Sequence, residues 1–152
     1  MITLETIRNY CLTKKGPITE EFPFDDETLV FKVFGKMFLL TNVNNLPLTM
    51  NLKCNPERVI ELRERYAAIR PGYHMNKKFW NTVEVDGSLP EALVYELIDH
   101  SYNEVIQKLP RHMREKISES RSREGQHHPL IPKRPRYTKP DISIKQRIKR
   151  RK

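Results

Sequence analysis

After Pro110 the apolar periodicity that runs through the first part of the chain stops. Arg111 to Ile117 can still extend a helix. From Ser118 onward the sequence is serine, proline and charge, which buries too little apolar surface to offset the entropy of ordering. Pro129, Pro132, Pro135 and Pro140 interrupt any helix there and favour extended backbone. The last segment, from Ile142 to Lys152, is suited to become a short basic helix only on a partner. A packed body is therefore expected from residues 1–110, with residues 111–152 as a basic, proline-containing, flexible tail. At about 110 residues the body can bury roughly two-thirds of its unfolded surface, enough to fold without a metal or a disulfide.

Charge divides at the same place. The whole chain carries a formal net charge of +9. Residues 1–110 hold 13 Lys plus Arg against 15 Asp plus Glu, a net of −2, whereas residues 111–152 hold 15 against 4, a net of +11. Any attraction to polyanions must therefore separate a nearly balanced body from a strongly basic extension. Cys11 and Cys54 form no CxxC pair and make a poor disulfide framework, so a reduced, cytoplasmic protein is expected. The first turns carry Glu5 and Arg8 and lack the apolar core of a signal peptide. No apolar run reaches the roughly 18 residues that a membrane-spanning helix requires.

Within the body, Thr3 is placed to cap a helix with apolar residues at Leu4, Ile7, Cys11 and Leu12, ending near Gly16. Thr28 to Phe34 and Met37 to Thr41 read as paired strands turning at Gly35-Lys36, and Leu48 to Lys53 alternates as a third strand with one wet face. Asn55-Pro56 starts a helix that must stop before Pro71-Gly72. Phe79 to Val85 reads as a strand, with an earlier short strand through Tyr73 to Met75. Ser88 with Glu91 has the spacing of a capping box opening a long helix through Leu93, Leu97, Ile98, Tyr102, Val105 and Leu109. The order α-β-β-β-α-β-β-α, without βαβ alternation, predicts an α+β fold in which helices pack on an antiparallel sheet.

The segment PGYHMNKKFW (Pro71 to Trp80) sets His74, Lys77 and Lys78 among Tyr73, Met75, Phe79 and the only tryptophan. It suits gripping an anion, together with Lys32, Lys36 and Lys53 on neighbouring strands. It equally suits covering a core or a sheet edge with its aromatics while the lysines remain solvated. With FPFDDETLVFKVFGKMFLL (Phe22 to Leu40) upstream and LPEALVYELIDHSYNEVIQKLP (Leu89 to Pro110) downstream, this segment closely resembles the MmcQ/YjbR family of small bacterial proteins over residues 1–110. The resemblance implies a compact fold likened to the frataxin-type and secretion-chaperone-like folds, and a proposed DNA-binding role without an established reaction. It does not reach the tail.

Lys133, Arg134 and Arg136, with Lys149, Arg150, Arg151 and Lys152, form two tail clusters that gain by displacing counterions from phosphates. Tyr137 is the tail's one aromatic, so sequence reading by the tail is not expected. Other candidates are weaker. Asp25, Asp26 and Glu27 read as a polar turn before a strand. His100 cannot form a triad with its helix neighbours Asp99 and Ser101, which do not face it, and reads as structural. His127-His128 makes an unselective metal site at best. Cys11 is expected to be buried and inert, and Cys54, near a helix start, modestly acidic. No glycine-rich phosphate loop, zinc-protease motif or nucleophile elbow occurs.

The expectation is thus a non-enzymatic, cytoplasmic nucleic-acid-binding protein without cofactor or metal. DNA is the first partner to consider, gripped by the tail and by His74, Lys77 and Lys78. The competing readings are a protein-interaction or chaperone-like module, and a small-molecule pocket near Trp80.

Overall fold

The computed structural model describes residues 1–117. Their elements run α1 (Leu4–Leu12), β1 (Ile18–Glu21), β2 (Thr28–Val33), β3 (Lys36–Asn42), β4 (Leu48–Lys53), α2 (Pro56–Arg65), β5 (Ile69–Pro71), β6 (Trp80–Val85) and α3 (Glu91–Gln107), and residues 111–117 are again helical. The six strands form one sheet in the order β1-β2-β3-β4-β6-β5, every neighbouring pair antiparallel. The α+β class read from the sequence is the class observed.

Strand alternation explains which side is dry. On β4, Leu48, Met50 and Leu52 are buried while Thr49, Asn51 and Lys53 are half-exposed, so the inner face meets the helices. Ile7 and Cys11 of α1, Val59 and Leu62 of α2, and Val94, Leu97, Ile98, Tyr102 and Val105 of α3 enter one core with Phe31, Phe38, Leu39, Met50 and Leu52. Ser101 of α3 stitches this layer to the sheet: its buried hydroxyl donates to the Phe38 carbonyl at 2.5 Å and accepts from the Lys53 amide at 2.8 Å. A second, smaller cluster of Val30, Leu40 and Trp80, flanked by Met37, Met75 and Phe79, lies on the outer face.

Helix starts follow local chemistry in two of three cases. Thr3 caps α1 through a reciprocal capping box with Thr6, and Asn55 accepts from the Glu57 amide ahead of Pro56. At α3 the expected Ser88–Glu91 box does not form. Ser88 turns back and donates through both its amide and its hydroxyl to Asp86 Oδ1, leaving Pro90 at the N-cap without a side-chain bond.

The other departures concern edges and turns. Strand β1 was not expected, because two of its four residues are glutamates. Both are nevertheless buried: Arg8 Nε donates to Glu20 Oε1 at 2.9 Å, and Lys32 Nζ lies 3.0 Å from Glu21 Oε1. Paired charges can occupy an edge strand that unpaired ones would vacate. Helix α1 stops at Leu12, short of Gly16. The β2–β3 hairpin turns one residue earlier than expected, through Phe34 and Gly35 at φ 52° and 77°, the positive pair that a tight right-twisted hairpin demands. Tyr73 to Met75 is a turn, and the short strand lies upstream at Ile69–Pro71. Pro71 fits there because β5 is an edge.

Packing continues beyond Pro110. Ile117 is buried, and a β-carbon on Gly16 would lie 3.3 Å from Ile117 Cγ1 and 3.4 Å from Val33 Cγ2, so the end of the last described helix sits beside the β2–β3 hairpin. Cys11 is buried as expected, and burial holds its thiol neutral. Cys54 departs from the expected acidity: burial outweighs the nearby Arg58 charge and pushes it up to about 11. Asp25 does make the polar turn, accepting from the Glu27 and Thr28 amides at 2.9 and 2.7 Å.

His100 is structural and carries a pH consequence. Its Nε2 accepts from the Asn55 amide at 3.1 Å, and burial, then the Arg58 charge, lowers its pKa. Below about pH 6.5 the unfolded chain takes up a proton that the folded chain resists. Stability is therefore full above that pH and falls as the solution is acidified toward the lower folded value. His100→Gln, which removes the titrating group, should lessen the acid loss when urea midpoints are compared above and below about pH 6.5. An unchanged loss would assign it to other groups.

Candidate functional site

The Pro71–Trp80 segment is a loop laid over the outer face and tied down at nearly every residue. Gly72 donates to the Trp80 carbonyl at 3.0 Å, and a β-carbon there would come within 2.8 Å of Trp80 Cβ, so the approach requires glycine. Tyr73 donates its amide to Thr82 Oγ1 at 3.0 Å, and its carbonyl accepts from Asn51 Nδ2 at 3.3 Å. The Asn76 carbonyl accepts from the Phe79 and Trp80 amides. From α2, the Arg63 guanidinium donates to Asn81 Oδ1 at 2.7 Å, to the Trp80 carbonyl at 3.2 Å and to the Lys77 carbonyl. Arg63 thus serves as the fixed fork that shapes the loop.

This scaffold separates the cations that the sequence grouped together. Lys77, though exposed, donates its Nζ to the Gly72 carbonyl at 3.0 Å and so closes its own loop. His74 sits at φ 60° with its ring centroid 4.0 Å from that of Tyr73, and lines a groove on the other flank of the loop. Lys32 is spent on Glu21. Lys78 stays exposed, with Nζ 5.7 Å from the Phe79 ring centroid.

Lys108, which sequence reasoning missed, approaches that same ring at 6.0 Å. Lys36, Lys53 and Lys108 line a recess of about 290 Å³ with Met37, Trp80, Val105 and Leu109. Lys36, Lys53 and Lys108, from the start of β3, the end of β4 and the C-cap of α3, thus gather beside Trp80, and Lys78 of the loop adjoins them across the Phe79 ring that it shares with Lys108. Among the described residues, none of these four lysines makes a salt bridge. Their mutual repulsion is visible at Lys53, whose pKa is lowered by burial first and then by Lys108, with Lys36 adding to it and Glu104 opposing. A signal for Lys108 existed: a cation at the end of a long helix, where the macrodipole favours positive charge.

The aromatics split in the same way. Trp80 is buried and Phe79 half-buried on the outer-face cluster, as a covering role expects, whereas Tyr73 is 70% exposed. Among the described residues no group of three or more His, Cys, Asp or Glu is arranged to hold a metal ion. No helix among them is long and apolar enough to cross a membrane. Lys133, Arg134, Arg136, Lys149, Arg150, Arg151 and Lys152, with His127 and His128, lie outside the described residues.

Residues 12–104 match the family model described as YjbR. The chain belongs to the YjbR family. The uncharacterized protein YjbR of Escherichia coli strain K12 is 35% identical over 115 residues, covering 74% of this chain and 95% of the relative. A crystal structure of the Deinococcus radiodurans protein DR2400, with a DUF419 domain, superposes with a TM-score of 0.72 at 43% identity, covering 78% of this chain and 89% of that one. A Pseudomonas syringae protein superposes with a TM-score of 0.56 at 27% identity, covering 66% of this chain and 96% of that one. Within this YjbR-family chain, Lys36, Lys53 and Lys78 fall inside the family match, while Lys108 and the basic segment after it fall outside.

Proposed function

We propose that this chain is a non-enzymatic nucleic-acid-binding protein in which the lysine cluster of the body and the basic segment after residue 117 engage one polyanion. The observation that carries this reading is the gathering of Lys36, Lys53, Lys78 and Lys108 around Phe79 and Trp80 without a salt bridge among the described residues. Residues 1–117 are balanced, with 16 Lys plus Arg and 16 Asp plus Glu, so the unpaired cluster is a matter of placement. Like charges held together destabilise each other until an anion arrives, and a phosphate chain relieves that repulsion while releasing its own counterions.

Continuity with the tail supports the same reading. Ile117 lies beside Gly16 and Val33, and Val33 pairs with Lys36 in the β2–β3 ladder. The segment that follows, residues 118–152, holds 12 Lys plus Arg against 3 Asp plus Glu. Residue 117, to which it is joined, stands at the end of the sheet where Lys36 lies.

Lys78→Glu combined with Lys108→Glu tests the cluster without disturbing the loop, since both side chains are exposed. Anisotropy titrations of a labelled oligonucleotide should show the slope of log affinity against log salt becoming shallower by about 2. Unchanged affinity and slope would remove the cluster from the interface. That result is the one a protein-docking role for this surface expects.

A further inference from the structure

On the other flank of the loop, the outer face opens into a groove of about 440 Å³. Its polar lining is mainly amide and hydroxyl, from Thr28, Asn42, Thr49, Asn51 and Thr82, joined by the His74 imidazole, and Phe24 and Tyr73 stand beside these groups. Phe24 and Tyr73 are 50% and 70% exposed, which sets aromatic surface next to hydrogen-bonding groups. Among the described residues, no lysine or arginine lines the groove. Its single carboxylate, Asp25, accepts from the amides of its own turn. Such a lining favours a neutral, flat ligand with donors and acceptors on its edge, and offers little to a phosphate.

Tyr73 is preorganised for stacking. Thr82 Oγ1 accepts from the Tyr73 amide at 3.0 Å and donates to Asn51 Oδ1 at 2.5 Å, and Asn51 Nδ2 donates to the Tyr73 carbonyl at 3.3 Å. This fixes the backbone that carries the ring, and the left-handed turn at His74 sets the imidazole against it. The groove also lies next to the lysines: the pair Asn51–Thr82 is followed on the same face by the pair Lys53–Trp80, two residues or about 7 Å along the strand.

We propose that this groove receives one unstacked nucleobase of a single-stranded nucleic acid, stacked on Tyr73, while the neighbouring phosphates meet the lysine cluster. The proposal rests on the nucleic-acid reading above and adds the preferred form of the ligand. A duplex keeps its bases paired and stacked and has none to offer the groove.

The test compares single-stranded DNA, single-stranded RNA and duplex DNA of one length with the intact chain and its Tyr73→Ala and Phe24→Ala variants. In parallel, adenosine, cytidine, guanosine and uridine are titrated while the NMR signals of Asn51, Tyr73 and Thr82 are followed. Single-strand affinity should fall about tenfold in Tyr73→Ala with duplex affinity unchanged, and at least one nucleoside should shift those signals. Tighter binding of the DNA or the RNA strand assigns the sugar. If salt-dependent binding persists but Tyr73→Ala and Phe24→Ala change nothing and no nucleoside shifts the signals, the groove proposal is overturned and the lysine reading stands. If nucleosides shift the signals while no strand binds in a salt-dependent way, the lysine reading falls and the groove remains a nucleobase site.

Discussion

Removing residues 118–152 should weaken oligonucleotide binding strongly at about 50 mM salt and make its salt slope shallower by about 4. That segment carries 12 of the chain's 28 Lys plus Arg. If about six of these cations engage the phosphates of a single strand, they contribute roughly −4 to the slope of log affinity against log salt. The body's four clustered lysines contribute about −3 more if all take part. The truncated chain should therefore keep weak, salt-sensitive binding rather than lose it altogether, since the cluster of Lys36, Lys53, Lys78 and Lys108 remains. Anisotropy titrations of both chains across a salt series measure the two terms separately. Equal affinity and equal slope in the intact and truncated chains would exclude the tail from the interface.

The second large effect concerns stability. Phe38→Ala should destabilise the body by about 3–5 kcal/mol. The Phe38 side chain is fully buried, its ring meets Tyr102 edge-on at 5.5 Å and Phe31 at 6.5 Å, and its carbonyl holds the Ser101 hydroxyl. Truncation thus opens a cavity where β3 meets α3. Small domains have only about 5–15 kcal/mol in total, so the variant should approach marginal folding. Urea denaturation followed by Trp80 fluorescence measures the loss. A change below about 1 kcal/mol would mean that the helix layer does not depend on this contact.

Much of the fold was legible because local signals agreed with packing. Leu48 to Lys53 alternates cleanly, and the strand has those limits. Asn55-Pro56 caps and opens a helix from neighbouring residues alone. What the sequence hid was settled at longer range. Glu20 and Glu21 look like surface charge until Arg8 and Lys32 are placed against them. Ser88 has a capping residue's spacing to Glu91 but finds a nearer partner in Asp86.

The candidate site follows the same rule. PGYHMNKKFW was recognisable as a shaped surface, yet which of its cations is tied to the loop depends on contacts made inside it. Lys77 is tied to the Gly72 carbonyl, whereas Lys78 sits against the Phe79 ring. Lys108 joins the cluster only because α3 ends beside Phe79, a proximity that no spacing in the sequence encodes.

The most direct test of the account is the affinity of the intact chain for one single-stranded oligonucleotide, measured from about 50 to about 200 mM salt. A straight line of slope about −5 or steeper on logarithmic axes is the expected result. Binding that is absent at the low end, or that does not change with salt, would contradict it.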